Sequence, residues 1–380
     1  MKIISILGST GSIGVNTLSV IQNLEEHYKI KYLTANSNSE LLIEQAIKFQ
    51  PENVVVVNND KFKPVKEALK TTNIKVIKGR EGLLECAGDS EVDIMMNGLV
   101  GTAGMEPTFR AVSSGVDVAL SNKESLVMAG DLINREKDSK KCTIFPVDSE
   151  HSAIWQCLSG ESMDDVKKII LTGSGGPFRN RNTDSFHKIT PAEALNHPNW
   201  DMGNKITIDS ATMMNKGLEI IETYWLFEME PEAIKVVIHP QSIIHSMVEF
   251  QDKSVKAQLG VPDMKIPIQY ALTYPRHKYS NWNSLDLTAI GTLSFEPPDF
   301  DKFPCMKLAY DALSSGGSTP AVLNVVNEYA VYRFLKNEIL FTDIPKMIEK
   351  ACEQHEWVKH PDFEALSYLE SWSIDFAQSF

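Results

Sequence analysis

Short apolar runs alternate with amphipathic stretches along roughly the first 148 residues. IISIL, IKYLT, NVVVVN, NIKVI, VDIMMN and VDVAL read as strands, with SELLIEQAIKFQ and DKFKPVKEALKT as helices between them. Runs that are apolar throughout, rather than at every second position, suit strands covered on both faces. Their alternation with helices predicts a parallel sheet in a doubly wound α/β domain.

After CTIFPVDSE the rhythm changes. Residues 149–275 hold a strand running into glycines (KKIILTGSGGPF), a Pro/Asn/Trp/Gly loop (NHPNWDMGNK) and one long helix (SATMMNKGLEIIETYWLF). Strand-like IKVVIHP, SIIHSMVEF and SVKAQL follow, which predicts an α+β second domain. Residues 276–303 are rich in Pro, Asn, Asp and Ser and read as a linker. Residues 304–380 have helical periodicity throughout and predict a C-terminal helical bundle.

Composition narrows the function classes. The chain has 380 residues, 43% of them hydrophobic, and a net charge of −13, which excludes a general polyanion binder and makes nucleic-acid or anionic-membrane partners unexpected. No run approaches the length of a membrane span. The N-terminal apolar run is too short for a signal-peptide core, so the mature chain is expected to begin here. Five scattered cysteines without a C-x-x-C pair suit a reducing, cytoplasmic setting.

The first strand exits into Gly8-Ser-Thr-Gly11-Ser-Ile-Gly14 and then a helix, the context in which a glycine turn cradles a pyrophosphate. The plainer alternative is a flexible strand exit with no ligand. A dinucleotide site of the NAD type carries an acidic residue about 20 positions on. The second strand here ends in Asn36-Ser37-Asn38, whose amides and hydroxyl suit a 2′-phosphate, so NADP is the expectation.

Asp148 and Glu150 flank Ser149; read as extended backbone, they point the same way. Asn215, Lys216 and Glu219 share one helix face, with Met213, Ile220 and Tyr224 on the other. Three carboxylates without cysteine or paired histidine suit Mg²⁺ or Mn²⁺. The alternative is a helix-capping Asp148 beside a solvated Lys216–Glu219 pair. LTGSGGPFR offers Ser174 and backbone amides to an anion, or is simply a turn. HPNWDMGNK, with His197 and Trp200, reads as a flexible water-excluding lid, or as a loop anchored by its tryptophan. Lys123 of SNKESL follows a strand at its carboxyl end, where α/β sheets bind ligands and where solvated lysines are also common.

Taken together and in order, GSTGSIG, SNKESL, PVDSEHSAI, LTGSGGPFR, HPNWDMG, SATMMNKGLE, HPQSIIHSMVEF and GVPDMKIPIQYAL resemble the 1-deoxy-D-xylulose 5-phosphate reductoisomerase family. The resemblance implies an NADPH- and divalent-metal-dependent enzyme of non-mevalonate isoprenoid synthesis, working as a homodimer on a small phosphorylated ketose. Its reaction runs by carbon–carbon bond migration, then hydride delivery to the resulting aldehyde. It implies a pyrophosphate turn at Gly8, Thr10, Gly11, Ser12 and Ile13, with Asn122, Glu124 and Gly203 near the rest of the cofactor. Asp148, Glu150 and Glu219 become metal ligands. Lys123, Ser149, Glu150, Ser174, His197, Ser210, Asn215, Lys216, Glu219 and Met264 become substrate contacts, the phosphate falling to Ser174, Ser210, Asn215 and Lys216. Lys123, Glu150, His197 and Trp200 are the catalytic candidates, Trp200 and Met202 closing the lid. Asn36-Ser37 departs from the small-then-basic pair of many relatives, which bears on the preference for NADP over NAD and not on the reaction. A simpler NADP-dependent semialdehyde or homoserine dehydrogenase and a non-enzymatic NADP(H) sensor are the rival readings.

Overall fold

The structure, a computed structural model, describes residues 1–24, 28–197 and 202–380. The chain divides into two compact units. The first comprises Met1–Ser125, Leu132–Ser152 and Asp263–Asn283; the second comprises Leu126–Asp131, Ala153–Pro262 and Ser284–Phe380.

The first unit is built on seven strands: β1 (Lys2–Leu7), β2 (Tyr28–Ala35), β3 (Asn53–Val56), β4 (Lys75–Lys78), β5 (Ile94–Asn97), β6 (Asp117–Leu120) and β7 (Ile144–Pro146). All neighbours run parallel, in the order β4-β3-β2-β1-β5-β6-β7. Burial explains the continuous apolar runs: Ile4, Ile6, Leu7, Leu33, Val54, Val55, Met95, Met96, Val118 and Leu120 are all essentially inaccessible. β7 is the strand that the pattern does not announce. It is three residues long and ends in a proline, which is tolerated at a sheet edge.

Residues 263–283 follow the second domain in sequence, yet their partners lie in the first unit. The helix Lys265–Thr273 packs on the helix Ser12–Asn23. The Tyr28 hydroxyl donates to the Leu272 carbonyl, and the Asn23 amide to the Tyr279 carbonyl at 3.1 Å.

In the second unit β8 (Val166–Gly173), β9 (Ile234–Ile238), β10 (Ile244–Phe250) and β11 (Val255–Leu259) form a mixed sheet in the order β11-β10-β8-β9. One face buries Ile169, Leu171, Val248 and Phe250 in a core shared with the helices Met214–Phe227, Pro304–Ser315, Thr319–Leu335 and Asp343–Gln354. The C-terminal helices share this core with the sheet.

The long helix expected over SATMMNKGLEIIETYWLF is two helices, Asn204–Thr212 and Met214–Phe227. Met213 separates them in the left-handed region, at φ +62°. No glycine, asparagine or proline signals this break. The second helix is buried on nearly every side, Met214 and Lys216–Thr223 included, so it lacks the exposed polar face that the pattern implied.

Turn geometry makes Gly14 indispensable. A Cβ there would lie 2.3 Å from Ser9 Cα and 2.4 Å from the Gly8 carbonyl oxygen, both backbone atoms that cannot swing aside. Gly14→Ala is expected to destabilise the chain by about 2 kcal/mol, read as a lower urea midpoint. An unchanged midpoint would mean the turn yields more easily than its packing indicates.

Candidate functional site

In the first unit the sheet order reverses direction between β1 and β5, the switch point at which open α/β sheets bind ligands. Gly8 leaves β1 at φ +74°, and a Cβ on it would meet the Gly98 carbonyl oxygen at 3.0 Å. The turn is braced from β2 and beyond: the Gly8 N–H donates to Thr34 Oγ1 at 2.9 Å, and Ser9 exchanges hydrogen bonds with the Gln45 side chain, both at 2.8 Å. Gly11 N–H closes the turn on the Gly8 carbonyl at 3.0 Å and stands as N-cap of the helix Ser12–Asn23. No side chain caps that helix, so its first N–H groups and positive dipole end suit an anion. Gly11 and Ser12 are exposed, and Thr10 and Ile13 half-buried. The crevice thus fits a dinucleotide pyrophosphate.

Asn36, Ser37 and Asn38 lie exposed after β2, as a 2′-phosphate would require. Asn38 spends its side-chain oxygen on capping the helix Ser39–Phe49, accepting from Leu41 N–H at 3.2 Å. Its amide NH₂ alone is left to face a ligand.

Asn122 is more deeply committed. It is 1% exposed, accepts from Ser125 N–H at 3.1 Å, and donates to the carbonyls of Leu99 and Gly101 and to Glu124 Oε2 at 2.9–3.1 Å. It therefore shapes the crevice wall through its own packing. Glu124 beside it is also buried.

The acidic segment is helical, which corrects the extended reading of Asp148-Ser149-Glu150. The helix Ser149–Leu158 starts there, and Asp148 Oδ1 accepts from Glu150 N–H at 3.2 Å in the manner of an N-cap. Ser149 Oγ donates to Glu150 Oε2 at 2.6 Å. Lys123, buried at the start of the helix Lys123–Lys140, sets its Nζ 2.6 Å from Asp148 Oδ2. Burial would raise the Asp148 pKa, but the Lys123 charge, the nearby His151 and hydrogen bonds to Glu150 and Lys123 together hold the carboxyl well below its ordinary range.

In the second unit β8 runs out through Gly173, Ser174, Gly175 and Gly176, the last two at φ +84° and +67°. Ser174 Oγ accepts from Gly176 N–H at 3.3 Å and lies 3.2 Å from His197 Nε2. A Cβ on Gly176 would fall 2.5 Å from the Ser210 carbonyl oxygen, so the glycine admits the helix Asn204–Thr212 against this loop. Gly203 is the exposed N-cap of that helix.

Asn215, Lys216 and Glu219 meet as their spacing predicts. Asn215 Nδ2 donates to Glu219 Oε1 at 2.5 Å, and Lys216 Nζ pairs with Glu219 Oε2. This is the ion pair of the alternative reading with its environment corrected: the two side chains are 4% and 1% exposed, so it is buried rather than solvated.

The three expected metal ligands are divided, Asp148 and Glu150 in the first unit and Glu219 in the second. Asp148 and Glu219 each already hold a lysine ammonium, which shows that these positions favour a cation, and an all-carboxylate donor set suits a hard divalent ion. Met264 belongs to the first unit, half-buried just before the helix Lys265–Thr273. Trp200, with the centre of the expected lid, lies outside the described residues; Met202 after it is half-buried. Sequence reasoning missed Thr34 and Gln45, whose only signal is ordinary polar residues in a strand and a helix.

Family models for 1-deoxy-D-xylulose 5-phosphate reductoisomerase match residues 4–130, for its C-terminal domain residues 144–227, and for the DXP reductoisomerase C-terminal domain residues 259–375. The chain belongs to the 1-deoxy-D-xylulose 5-phosphate reductoisomerase family. The reductoisomerase of Chloroherpeton thalassium is 54% identical over 94% of this chain and 92% of its own length, and that of Ruminiclostridium cellulolyticum 50% over 98% and 97%. Among solved reductoisomerases, one from Zymomonas mobilis in complex with NADPH superposes with a TM-score of 0.94 at 39% identity, covering 100% of this chain and 98% of its own. Another, in complex with NADPH, fosmidomycin and magnesium, gives 0.95 at 38% identity with the same coverage.

Burial lowers the His197 pKa below the ordinary 6.5, since it strips hydration from the charged ring. His197 is therefore expected to be neutral at pH 7 and to titrate only below 6.5. As pH falls through that window the unfolded chain takes up the proton first, so stability drops there. A ring-proton titration by NMR with a midpoint above 6.5 would contradict this.

Proposed function

We propose that this chain converts 1-deoxy-D-xylulose 5-phosphate to 2-C-methyl-D-erythritol 4-phosphate, using NADPH and Mg²⁺ or Mn²⁺. The observation that carries this reading is the likeness to reductoisomerases along the entire chain, including the structure solved with NADPH and magnesium. A plain dehydrogenase would have no use for the three carboxylates, and a cofactor sensor no use for a buried lysine–carboxylate site on a second unit.

The pyrophosphate sits at the uncapped helix start of Gly11, Ser12 and Ile13, with Gly8 and Thr10 forming the turn. Asn36, Ser37 and the Asn38 amide receive the 2′-phosphate, while Asn122, Glu124 and Gly203 border the remainder. Asp148, Glu150 and Glu219 would hold the divalent ion, which when bound supplies Lewis-acid polarisation of the ketose carbonyl. Ser174, Ser210, Asn215 and Lys216 bind the substrate phosphate, supported by the polar exit of β8 and the ammonium of Lys216.

His197 donates or accepts beside Ser174 as a neutral ring, and Ser149, Met264 and the lid residue Trp200 enclose the sugar. Lys123 Nζ, now paired with Asp148, would turn to donate toward the substrate, and Lys123 and Glu150 are the candidates to handle the proton. In the balance of the reaction, the rearranged carbonyl carbon takes hydride from NADPH and its oxygen takes a proton.

A homodimer is part of the proposal. On the outer face of the second sheet Ile170, Val237 and Met247 stay half-open beside exposed Phe295, an apolar surface that a second copy would cover. All five thiols are free, which supports a reducing, cytoplasmic setting.

Two measurements test this. NADPH absorbance should fall only when both the ketose phosphate and Mg²⁺ or Mn²⁺ are present; oxidation that survives a chelator would favour the dehydrogenase, and binding without turnover the sensor. Glu219→Gln should lose metal-dependent turnover by about 100-fold or more while binding NADPH as before, and full turnover at saturating metal would remove it from the ligand set.

A further inference from the structure

We propose that Asn327 is a positioning residue for the substrate-phosphate site, acting through Asp209 on the helix that carries Ser210. This rests on the assignment of Ser210 to the substrate phosphate made above.

The helix Thr319–Leu335 is buried from Thr319 through Glu328, yet carries Asn324, Asn327 and Glu328 into the interior on one face. Asn327 is wholly inaccessible and donates from Nδ2 to Asp209 Oδ1 at 2.8 Å. Asp209 is likewise inaccessible, and its other oxygen lies 2.8 Å from Nζ of Lys205, one turn earlier on the same helix. A carboxylate in such a place is stable only when a countercharge and hydrogen bonds replace its lost hydration. Asp209 divides its partners between its own helix and the C-terminal one, so the two helices are joined through a single buried charge.

Ser210 is the next residue. Its backbone is held from another side by Gly176, whose φ of +67° and missing Cβ allow the approach to the Ser210 carbonyl. Neither end of the helix Asn204–Thr212 is fixed by a capping side chain: it starts at Gly203 and stops at the left-handed Met213. Its register therefore depends on interior contacts, and the Asp209–Asn327 hydrogen bond is a charged one that reaches another element. A hydroxyl that must meet a phosphate oxygen loses much of its effect when displaced by about 1 Å.

Asn324 provides the internal control. It lies one turn from Asn327 on the same helix and is equally buried, but neither its side-chain oxygen nor its nitrogen has a hydrogen-bond partner among the described residues.

Full-length Asn327→Leu, Asn324→Leu and Ser210→Ala are compared by steady-state kinetics with the ketose phosphate, NADPH and Mg²⁺, by competitive inhibition with inorganic phosphate, and by thermal melting. Asn327→Leu is expected to raise KM for the ketose phosphate, and the inhibition constant of inorganic phosphate, by about tenfold, as for loss of a hydrogen bond to a charged group. KM for NADPH is expected to stay as it was. Asn324→Leu should leave both KM values unchanged. A lowered melting temperature in Asn327→Leu with unchanged KM for the ketose phosphate would overturn the positioning role and leave a purely structural one. Ser210→Ala without effect on KM would overturn the phosphate-site assignment instead. If Asn327→Leu does not fold, Asn327→Gln, which keeps the amide on a longer stem, carries the same test: a raised KM for the ketose phosphate supports the proposal, and an unchanged one overturns it.

Discussion

A carboxylate taken out of water without a countercharge costs more than most single contacts return. Among the described residues this chain repeatedly meets that constraint with the same device, a lysine within direct reach. Lys123 pairs with Asp148, Lys216 with Glu219 and Lys205 with Asp209. The first two pairs occupy positions proposed for a metal ion and an anionic substrate, whose arrival would give their ammonium groups another partner. The third is joined by Asn327 from a distant helix. On that proposal similar chemistry would serve exchange in two places and rigidity in the other. The proposed site would let a chain of net charge −13 receive a phosphorylated sugar, since its lysines are buried with the candidate residues.

The strands of the first unit were legible because parallel strands covered on both sides are apolar at every position, as in Val54, Val55 and Val56. β7 was not, since three residues ending in Pro146 leave no pattern to detect. The glycine turn was legible as a motif, but its braces were not. Thr34 and Gln45 are ordinary polar residues until the fold brings them to Gly8 and Ser9. Likewise, no local rule places Lys265–Thr273 against Ser12–Asn23, since that contact links residues some 250 positions apart.

The candidate site divides in the same way. Asn215, Lys216 and Glu219 could be read together because helical spacing alone makes them neighbours. At Asp148 the extended reading failed and the alternative, a helix cap, holds: an aspartate before a helix-forming run is a common N-terminus. The break at Met213 had no such signal, because a methionine at φ +62° is held there by its surroundings rather than by its own preference. Asp209 and Asn327 lay 118 positions apart in sequence, and only folding shows that one answers the other.

The turn after β2 has a consequence for how such a chain changes over time. Asn36 and Ser37 are exposed, whereas Asn38 is tied to the start of a helix. On the proposed placement of the ribose 2′-phosphate, Asn36, Ser37 and the Asn38 amide would set the preference between a phosphorylated and an unphosphorylated ribose. The choice of electron donor would then be detachable from the rest of the molecule. A lineage could move between the cell's biosynthetic and catabolic reductant pools by substitutions that leave the core, the glycine turn and the buried charges untouched.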